Sequence, residues 1–186
     1  MKKQFLNLGK QPIANGFLYK EEVKDEFFFD LKVGFDKETK LITQMEYVDP
    51  PLMFNENYSY RGSMSKTMKT HFKEFSKNFS RFEKVLEIGS NDGVFLKNFN
   101  PSFAISVEPC TNFAKETQEM GYTTYPEFWT SKLAKNIKQH HGKMDKIFAA
   151  NCICHIPDLD DAFKAVESLL DDKGIFIFED PSLAEM

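Results

Sequence analysis

Cysteine is scarce in this sequence. The 186 residues include three, Cys110, Cys152 and Cys154, and no two of them form a CxxC pair. An odd number of cysteines without such a pair argues against a disulfide framework and against a structural zinc site. We therefore predict reduced thiols and no bound metal.

Long apolar runs and an excess of basic charge are also absent. The chain carries 24 lysines and arginines against 28 aspartates and glutamates, a net charge of −4. A nucleic-acid-binding surface needs clustered positive charge, and a signal peptide or membrane span needs an uninterrupted apolar segment. We therefore predict a cytoplasmic protein whose partner is a small molecule, with neither nucleic acid nor membrane involved. No feature of the sequence fixes an oligomeric state.

The sequence contains two regions of different rhythm. Residues 1–60 hold short apolar and aromatic runs broken by turn formers, as at 27–31 and 40–44, which is typical of short strands and turns. From about residue 61 onward, segments with apolar residues three and four apart alternate with short apolar runs. We predict a small N-terminal β-rich lobe over 1–60 and a larger domain over 61–186.

The larger domain is predicted to be an α/β fold of the Rossmann-like, doubly wound type. Its strands are predicted over 82–88, 103–107, 122–125, 144–150 and 174–178, and its helices over 63–79, 94–99, 112–120, 128–139 and 158–170. Strands separated by helices of this length form βαβ units, and hence a mostly parallel sheet with helices on both faces. Ligands of such sheets bind at the carboxyl ends of the strands.

The first of these strands ends in a turn over residues 89–93. Gly89 and Gly93 allow a tight turn and a close approach of the backbone to a ligand, and the predicted helix that follows would offer free amides. A dinucleotide fingerprint, GxGxxG, would need two more glycines, where Asn91 and Val94 stand. The sequence thus argues against NAD and FAD, and the lysine of a P-loop is also missing.

Two acidic residues accompany this turn. Glu108 follows the second strand, about 20 residues after Glu87, where a carboxylate can accept hydrogen bonds from both hydroxyls of a ribose. Glu87 follows apolar residues, so we expect it to be partly buried and to need a partner. Two roles stay open for it: orienting the turn or the ammonium group of a methionine moiety, or capping amides of the turn.

Polar residues also follow the fourth strand. Asn151 is placed to bond the amino-acid end of a cofactor, or the substrate. His155 stands just beyond it and is placed to take a proton near neutral pH. A single histidine near a loop also has a structural interpretation, so both roles remain open for His155.

The turn and the acid together resemble the class I methyltransferases. Residues 87–93 (Glu-Ile-Gly-Ser-Asn-Asp-Gly) look like the first motif of that superfamily, and Glu108 looks like its ribose-binding acid. The resemblance implies S-adenosylmethionine as the cofactor. It assigns the cofactor site to Glu87, Gly89, Asn91, Gly93, Glu108, Pro109 and Asn151.

A narrower resemblance, to the sugar C-methyltransferase family, runs along almost the whole chain. It is carried, in the family's order, by residues 8–15, 58–65, 86–93, 107–109, 151–158 and 178–181. Members methylate a carbon atom of nucleotide-linked keto-deoxysugars, which requires a base for the proton beside the carbonyl. The resemblance implies this activity here. We predict His155 as the base and Tyr58 or Tyr60 as a contact for substrate or cofactor.

The chain departs from that family in two ways. Its first lobe lacks the family's four zinc-binding cysteines, so we expect aromatic residues to hold the lobe together. The family's further strands and its tyrosine- and histidine-bearing catalytic segment would follow Met186, so we expect the second domain to be incomplete at its C-terminus. Two alternatives stay open: methylation of oxygen or nitrogen on a small metabolite, and a cofactor-binding module without catalysis.

Overall fold

The computed structural model describes residues 1–80 and 82–181. Residue 81 and the last five residues of the predicted second domain, 182–186, lie outside the described residues. The chain divides into two compact units, Met1–Tyr60 and Arg61–Met186. Within the described ranges, no helix has both the length and the apolar character that a membrane span requires.

The first unit is built on an antiparallel sheet with the strand order β1-β2-β3. Its elements are the strands β1 (Lys2–Pro12), β2 (Phe28–Asp36) and β3 (Ile42–Gln44) and the short helix α1 (Pro50–Met53). β1 and β2 pair along their whole length, with two shifts of register. The unit is β-rich, as predicted, although β1 and β2 are longer than the short strands that the sequence indicated.

The second unit contains a parallel sheet of five strands in the order β6-β5-β4-β7-β8. The strands are β4 (Val85–Ile88), β5 (Ala104–Val107), β6 (Thr123–Tyr125), β7 (Met144–Ala150) and β8 (Leu170–Glu179). The helices are α2 (Lys66–Phe75), α3 (Thr111–Glu119), α4 (Ser131–His141) and α5 (Leu159–Leu169). The chain runs outward from β4 to β6 and then outward from β7 to β8, which is the doubly wound arrangement. The predicted fold class is confirmed.

Apolar side chains cover both faces of this sheet. Leu86 of β4 packs in one cluster with Ile137 of α4, and Val85 packs in another with Phe72 of α2 and Phe148 of β7. Successive residues of a strand point to opposite faces, so neighbouring residues of β4 enter different clusters. All four residues of β4 are buried, since apolar side chains pack on both faces of the sheet. This packing holds the carboxyl end of β4 in place.

Three of the helices begin at residues whose side chains cap them. Ser65, Thr130 and Asp158 each accept a hydrogen bond from a backbone N–H in the first turn of α2, α4 and α5. Such caps satisfy amides that have no partner within the helix. Because Asp158 caps α5, this helix begins directly after it. The loop that joins the end of β7 to the cap of α5 therefore covers only residues 151–157.

Two predicted features differ from the structure. The segment predicted as a helix over 94–99 forms turns and a single 3-10 turn at Leu96–Asn98. Its apolar residues are drawn into the core, since Phe95 and Leu96 are fully buried. In α5, the spacing of Phe163 and Val166 predicts that both face inward, but Phe163 is 42% exposed whereas Val166 is buried.

Candidate functional site

The turn after β4 has a tightly defined backbone. Gly89, Asn91 and Gly93 have φ values of +70°, +50° and +71°. The backbone N–H of Gly89 donates to the carbonyl oxygen of Val107 at 2.8 Å, and that of Gly93 donates to the carbonyl of Ser90 at 3.0 Å. Glycine and asparagine tolerate the left-handed region best, so the sequence of this turn matches its conformation.

The two glycines of the turn are packed against protein atoms. A Cβ at Gly89 would lie 2.9 Å from Cβ of Cys152, and a Cβ at Gly93 would lie 3.2 Å from Cγ2 of Thr117. The space of each missing side chain is therefore already occupied. Both glycines shape the turn, and any ligand contact they make comes from their backbone atoms.

Glu108 joins the end of β5 to the turn. Its Oε2 accepts a hydrogen bond from the backbone N–H of Asn91 at 2.7 Å, and its Oε1 accepts one from the backbone N–H of Cys110 at 2.8 Å. The side chain is only 4% exposed. Burial raises the pKa of Glu108, while the two amide hydrogen bonds oppose that rise. The Cys110 side chain also hydrogen-bonds this carboxylate. A carboxylate has roughly four acceptor positions, so part of that capacity remains for the ribose hydroxyls of the predicted role.

Glu87 lies within β4 and is 3% exposed. The backbone N–H of Leu96 donates to its carboxyl group, but Oε2 has no hydrogen-bond partner. Burial, followed by the negative charges of Glu108 and Asp92, raises the pKa of Glu87 well above its usual range. The predicted burial of this residue is therefore observed, and one of its oxygens remains unsatisfied.

The turn also holds the segment that leads into α2. Asn91 Oδ1 accepts a hydrogen bond from the backbone N–H of Gly62 at 2.9 Å, and the Asp92 carboxylate accepts from the N–H of Ser63 at 3.2 Å. The sequence predicts only a cofactor contact for Asn91 and no role for Asp92. In the sequence, both residues stand between two glycines, which indicates a turn. That pattern does not identify the distant segment with which their side chains form hydrogen bonds.

The end of β7 lies beside the same turn. Asn151 has a φ of +52° and donates its backbone N–H to the carbonyl of Glu179 at 2.7 Å. Cys152 Sγ lies 3.1 Å from the carbonyl oxygen of Ile88. The carboxyl ends of β5, β4, β7 and β8 thus lie side by side along one edge of the sheet. In that order, the residues at these ends are Glu108, Gly89, Asn151 and Glu179.

His155 and the two tyrosines complete the predicted site residues. His155 is exposed and ends the 3-10 turn Ile153–His155, with its backbone N–H donating to Cys152 at 3.0 Å. Pro109 is half-buried directly after Glu108. Tyr58 and Tyr60 belong to the first unit, where the ring of Tyr58 packs against Phe54 at 5.4 Å and Tyr60 is 54% exposed. The roles assigned to these residues stay predictions.

One pair at this edge was not found from the sequence. His71 Nε2 of α2 lies 2.9 Å from Glu179 Oε2 at the end of β8, and both side chains are partly exposed. The spacing of apolar residues in α2 indicates only that position 71 lies off the buried face. No local pattern connects it with a residue at the end of the last strand.

Comparison with known proteins identifies the class. Residues 60–185 match the model of a family described as a methyltransferase domain, and residues 1–54 match one described as a putative zinc binding domain. The first match covers more than half of the chain, so the chain belongs to that methyltransferase family. The predicted class, a methyltransferase domain, is thereby confirmed at the level of the family.

Among individual proteins, the chain is similar to the C-methyltransferase NovU of Streptomyces niveus, with 26% identity over 190 residues. The match covers 97% of this chain and 45% of NovU, so the chain spans less than half the length of that relative. Similar solved structures include the CcbJ methyltransferase of Streptomyces caelestis, with 14% identity, a TM-score of 0.47 and coverage of 66% of this chain and 53% of the other. A possible histamine N-methyltransferase of Thermotoga maritima has 21% identity, a TM-score of 0.45 and coverage of 59% and 50%.

The donor atoms of the first unit do not fit a zinc site of the usual kind. Zinc sites in proteins are built mainly from cysteine sulfur and histidine nitrogen, and residues 1–60 contain neither cysteine nor histidine. Across the residues that the structure describes, no group of three or more histidine, cysteine, aspartate or glutamate side chains is arranged to hold a metal ion. The match over residues 1–54 therefore shows a similarity of sequence to a putative zinc binding domain, although the cysteine and histidine ligands are missing from this unit.

Proposed function

We propose that this chain binds S-adenosylmethionine at the carboxyl edge of the parallel sheet and methylates a carbon atom of a small molecule, a nucleotide-linked keto-deoxysugar. The observation that carries the proposal is the Glu108 carboxylate, which binds the backbone of the turn after β4 and lies at the edge of the parallel sheet where ligands bind. This arrangement stands in a chain whose residues 60–185 match a methyltransferase domain.

The residues at this edge fit the chemistry of the cofactor. Glu108 would accept hydrogen bonds from the ribose hydroxyls, with Pro109 beside it. The backbone of Gly89 and Gly93, together with Asn91, would face the remainder of the nucleoside and the methionine part. Glu87 and Asn151 would serve the amino-acid end. When bound, S-adenosylmethionine supplies a methyl group activated by its attachment to a sulfonium.

Methylation at carbon gives His155 a defined task. A carbon atom beside a carbonyl is a poor nucleophile until it loses a proton, so the site needs a general base. His155 follows β7 at the edge that carries the proposed cofactor residues, and it is an exposed residue. Tyr58 or Tyr60 would contact the substrate or the cofactor. The name of NovU, a C-methyltransferase, supports carbon as the acceptor.

Calorimetric titration of the purified chain tests the cofactor. We expect saturable binding of S-adenosylmethionine and none of NAD. Glu108→Gln should weaken binding at least about tenfold, since a charge-assisted hydrogen bond contributes about 1.5–3 kcal/mol. Glu119→Gln, the same change at an exposed position of α3, is the matched control. A folded chain that binds no S-adenosylmethionine contradicts the proposal.

Product analysis tests the acceptor. Incubation with S-adenosylmethionine carrying a ¹³C-labelled methyl group and a nucleotide-linked keto-deoxysugar should give a methyl resonance of the C–CH₃ type. An O–CH₃ or N–CH₃ resonance would replace the carbon assignment with methylation of a heteroatom. His155→Ala should abolish the carbon product while leaving cofactor binding intact, and unchanged turnover would show that His155 is not the base.

A further inference from the structure

A cavity lies at the amino edge of the parallel sheet. It has a volume of about 290 Å³, and its lining includes the first residues of three strands, Ala104 of β5, Thr123 of β6 and Met144 of β7. Lys84, which directly precedes β4, lines it as well. A strand rises about 3.3 Å per residue, so the length of β4, about 10 Å, separates this cavity from the carboxyl edge that carries the proposed cofactor residues.

Three basic side chains line the cavity. They are Lys84 and the last two residues of α4, His140 and His141. Lys84 Nζ donates a hydrogen bond to the carbonyl oxygen of His141 at 2.9 Å, and the ring centroids of His140 and His141 are 6.4 Å apart. Ser102 and Thr123 add two hydroxyl groups, and the rest of the lining that the structure describes is apolar.

The charges around His141 are mainly of one sign. Burial, followed by the positive charges of His140 and Lys84, lowers the pKa of His141. Asp145 lies close by at the start of β7, but its Oδ2 accepts a hydrogen bond from the backbone N–H of Lys84 at 2.8 Å, and the residue is not part of the lining. The basic groups therefore meet at this cavity without a carboxylate among the described residues that line it.

Hydrogen bonds orient the two imidazole rings. His140 Nδ1 lies 2.9 Å from the carbonyl oxygen of Asn136, so this nitrogen carries the proton of the neutral ring and Nε2 gains one when the ring becomes charged. His141 Nε2 lies 2.9 Å from the hydroxyl oxygen of Tyr125. The charge of Glu127 acts on Tyr125, but Glu127 does not line the cavity either.

The C-terminus of α4 brings a partial negative charge of about half an elementary charge. Its last carbonyl groups already have donors, because the N–H of Gly142 bonds the carbonyl of Lys138 at 2.9 Å and Lys84 Nζ bonds that of His141. The full charge of the Lys84 ammonium group exceeds this partial charge. Positive charge therefore dominates the lining, and most strongly when the two imidazoles are protonated.

We propose that this cavity is a second ligand site, which binds the phosphate dianion, free or as part of a small molecule, through Lys84, His140 and His141. The volume is near the lower end of the range for small-molecule pockets, about 300 Å³, which favours a small ligand over a macromolecule. None of the residues assigned to the cofactor lines the cavity. The inference is therefore independent of the proposed function.

The sign of the pH dependence follows from the proton balance. An anion favours protonated imidazoles, so binding takes up protons, and the affinity for an anion of constant charge should fall as the pH rises. Sulfate keeps its two charges near neutral pH and serves as this probe. Because the pKa of His141 lies below the ordinary 6.5, the fall should begin below that pH and end once the imidazoles of the bound state have lost their protons.

Proton NMR of the intact chain tests the site, since the chain has four histidines. Sulfate should shift the ring resonances of His140 and His141 saturably and raise the pKa of both, whereas those of His71 and His155 should not respond. Sodium chloride at the same ionic strength should reproduce neither effect. The resonances of the two cavity residues are assigned with His140→Gln and His141→Gln.

A charge variant tests the donor that needs no proton. Lys84→Gln should weaken sulfate binding about three- to fivefold, the size of effect expected for a partly exposed charge pair. Lys132→Gln is the matched control, because Lys132 is exposed in the first turn of α4 and lies about 13 Å along the helix from His141. This variant should bind sulfate as the native chain does.

Two phosphate probes distinguish the sources of the anion. At a fixed pH, inorganic phosphate should compete with sulfate for the two histidine resonances. Phenyl phosphate should compete more strongly if the natural ligand is an ester, because its ring can contact the apolar lining at Ala104, Ile105 and Met144. Equal competition by the two probes supports the free ion as the ligand.

Three outcomes would overturn the inference. The first is an equal shift of all four histidines, or the same response to sodium chloride, because either would reduce the effect to ionic screening. The second is unchanged sulfate affinity in a folded Lys84→Gln variant; if that variant does not fold, the resonances of the native chain decide. The third is displacement of sulfate by S-adenosylmethionine, which would show that the two sites are not separate.

Discussion

The two sheets of this chain differ in how far their strands are shielded from solvent. In the first unit, no residue of the long strand β1 is buried, and the buried residues of the whole unit are Gly34 and Val48. In the second unit, every residue of β4 and β5 is buried. β4 lies between two strands and two apolar layers, whereas β1 pairs with β2 alone. Hydrogen bonding is common to both sheets, so burial is what distinguishes them.

The difference indicates where each unit obtains its stability. Removal of apolar surface from water is the main favourable contribution to folding, at about 25 cal/mol per Å². Burial of apolar side chains stabilises the sheet of the second unit. This stabilisation can offset the cost of a strained turn and of buried carboxyl groups at the strand ends. The first unit keeps its strands exposed, so its side chains should tolerate substitution much better.

The largest expected effect is at the centre of the buried aromatic cluster. Phe95 is fully buried, with ring centroids of Phe148 at 4.3 Å and Phe99 at 4.9 Å. Phe95→Ala should lower the free energy of unfolding by about 3–5 kcal/mol, because it leaves a cavity as well as losing apolar burial. In the first unit, Phe17 is 79% exposed, and Phe17→Ala should change it by no more than about 0.5 kcal/mol. Urea denaturation measures both, and similar losses would refute the contrast between the units.

The next effect is expected at the turn after β4. Gly89→Ala places a side chain at a φ of +70° and against Cys152, which should cost about 1–2 kcal/mol of backbone strain and about 1–3 kcal/mol of overpacking. Thermal or urea unfolding measures the sum. Only the collision involves Cys152, and Cys152→Gly removes both of the colliding atoms, Cβ and Sγ. This change should therefore recover part of the loss in the double variant.

Gly121 supplies a control for that double variant. It has a φ of +94°, but its nearest neighbour is an atom of Pro101 at 3.9 Å, so Gly121→Ala brings strain without collision. Cys152→Gly should not improve Gly121→Ala. If the effects of Gly89→Ala and Cys152→Gly were strictly additive, the two residues would not be in limiting contact.

The sequence identified the second unit better than the details of its site. The alternation of helical and strand patterns was enough to define a parallel sheet, and the chain direction of such a sheet puts Gly89, Glu108 and Asn151 at one edge. These inferences depend on the periodicity of apolar residues and on the rules by which strands and helices connect. Both can be read from residues that lie close together in the sequence. The family assignment agrees with them.

Other features depend on packing between distant residues, and the sequence did not predict them. The segment after the turn has the spacing of a short helix, but burial of Phe95 and Leu96 holds it in turns that end in Leu96–Asn98. The pairing of His71 with Glu179 joins residues 108 positions apart. The glycine at position 89 was explained by a ligand, whereas the space beside it holds Cys152. Tertiary contacts decide each of these points.

A smaller effect is expected from an ion pair of the second unit. Arg61 and Glu116 form two hydrogen bonds, but their side chains are 40% and 32% exposed, so water screens the interaction. Glu116→Gln should cost about 0.5–1 kcal/mol near pH 7, measured by urea denaturation. Glu119→Gln on the same helix is the control and should change little.

The effect of Glu116→Gln should depend on pH in a defined direction. The hydrogen bonds from Arg61 lower the pKa of Glu116 below its ordinary 4.5. A lowered pKa stabilises the folded state above the ordinary value, and that stability is lost as the pH falls through the lowered pKa. The native chain and Glu116→Gln should therefore become equal in stability at acid pH. A difference that persists there would assign the loss to packing.

The smallest expected effect is that of metal removal on the first unit. Residues 1–54 match a putative zinc binding domain, but residues 1–60 contain no cysteine and no histidine, so a zinc ion would have no ligands of its preferred kind. Treatment with EDTA should leave the melting temperature of the chain within about 1 °C, and elemental analysis should find no stoichiometric zinc. Because zinc-dependent domains unfold when chelated, loss of the far-ultraviolet signal of the β-rich unit in EDTA would contradict this expectation. It would mean that carboxylates hold a metal in this unit and that its exposed strands depend on that metal for their order.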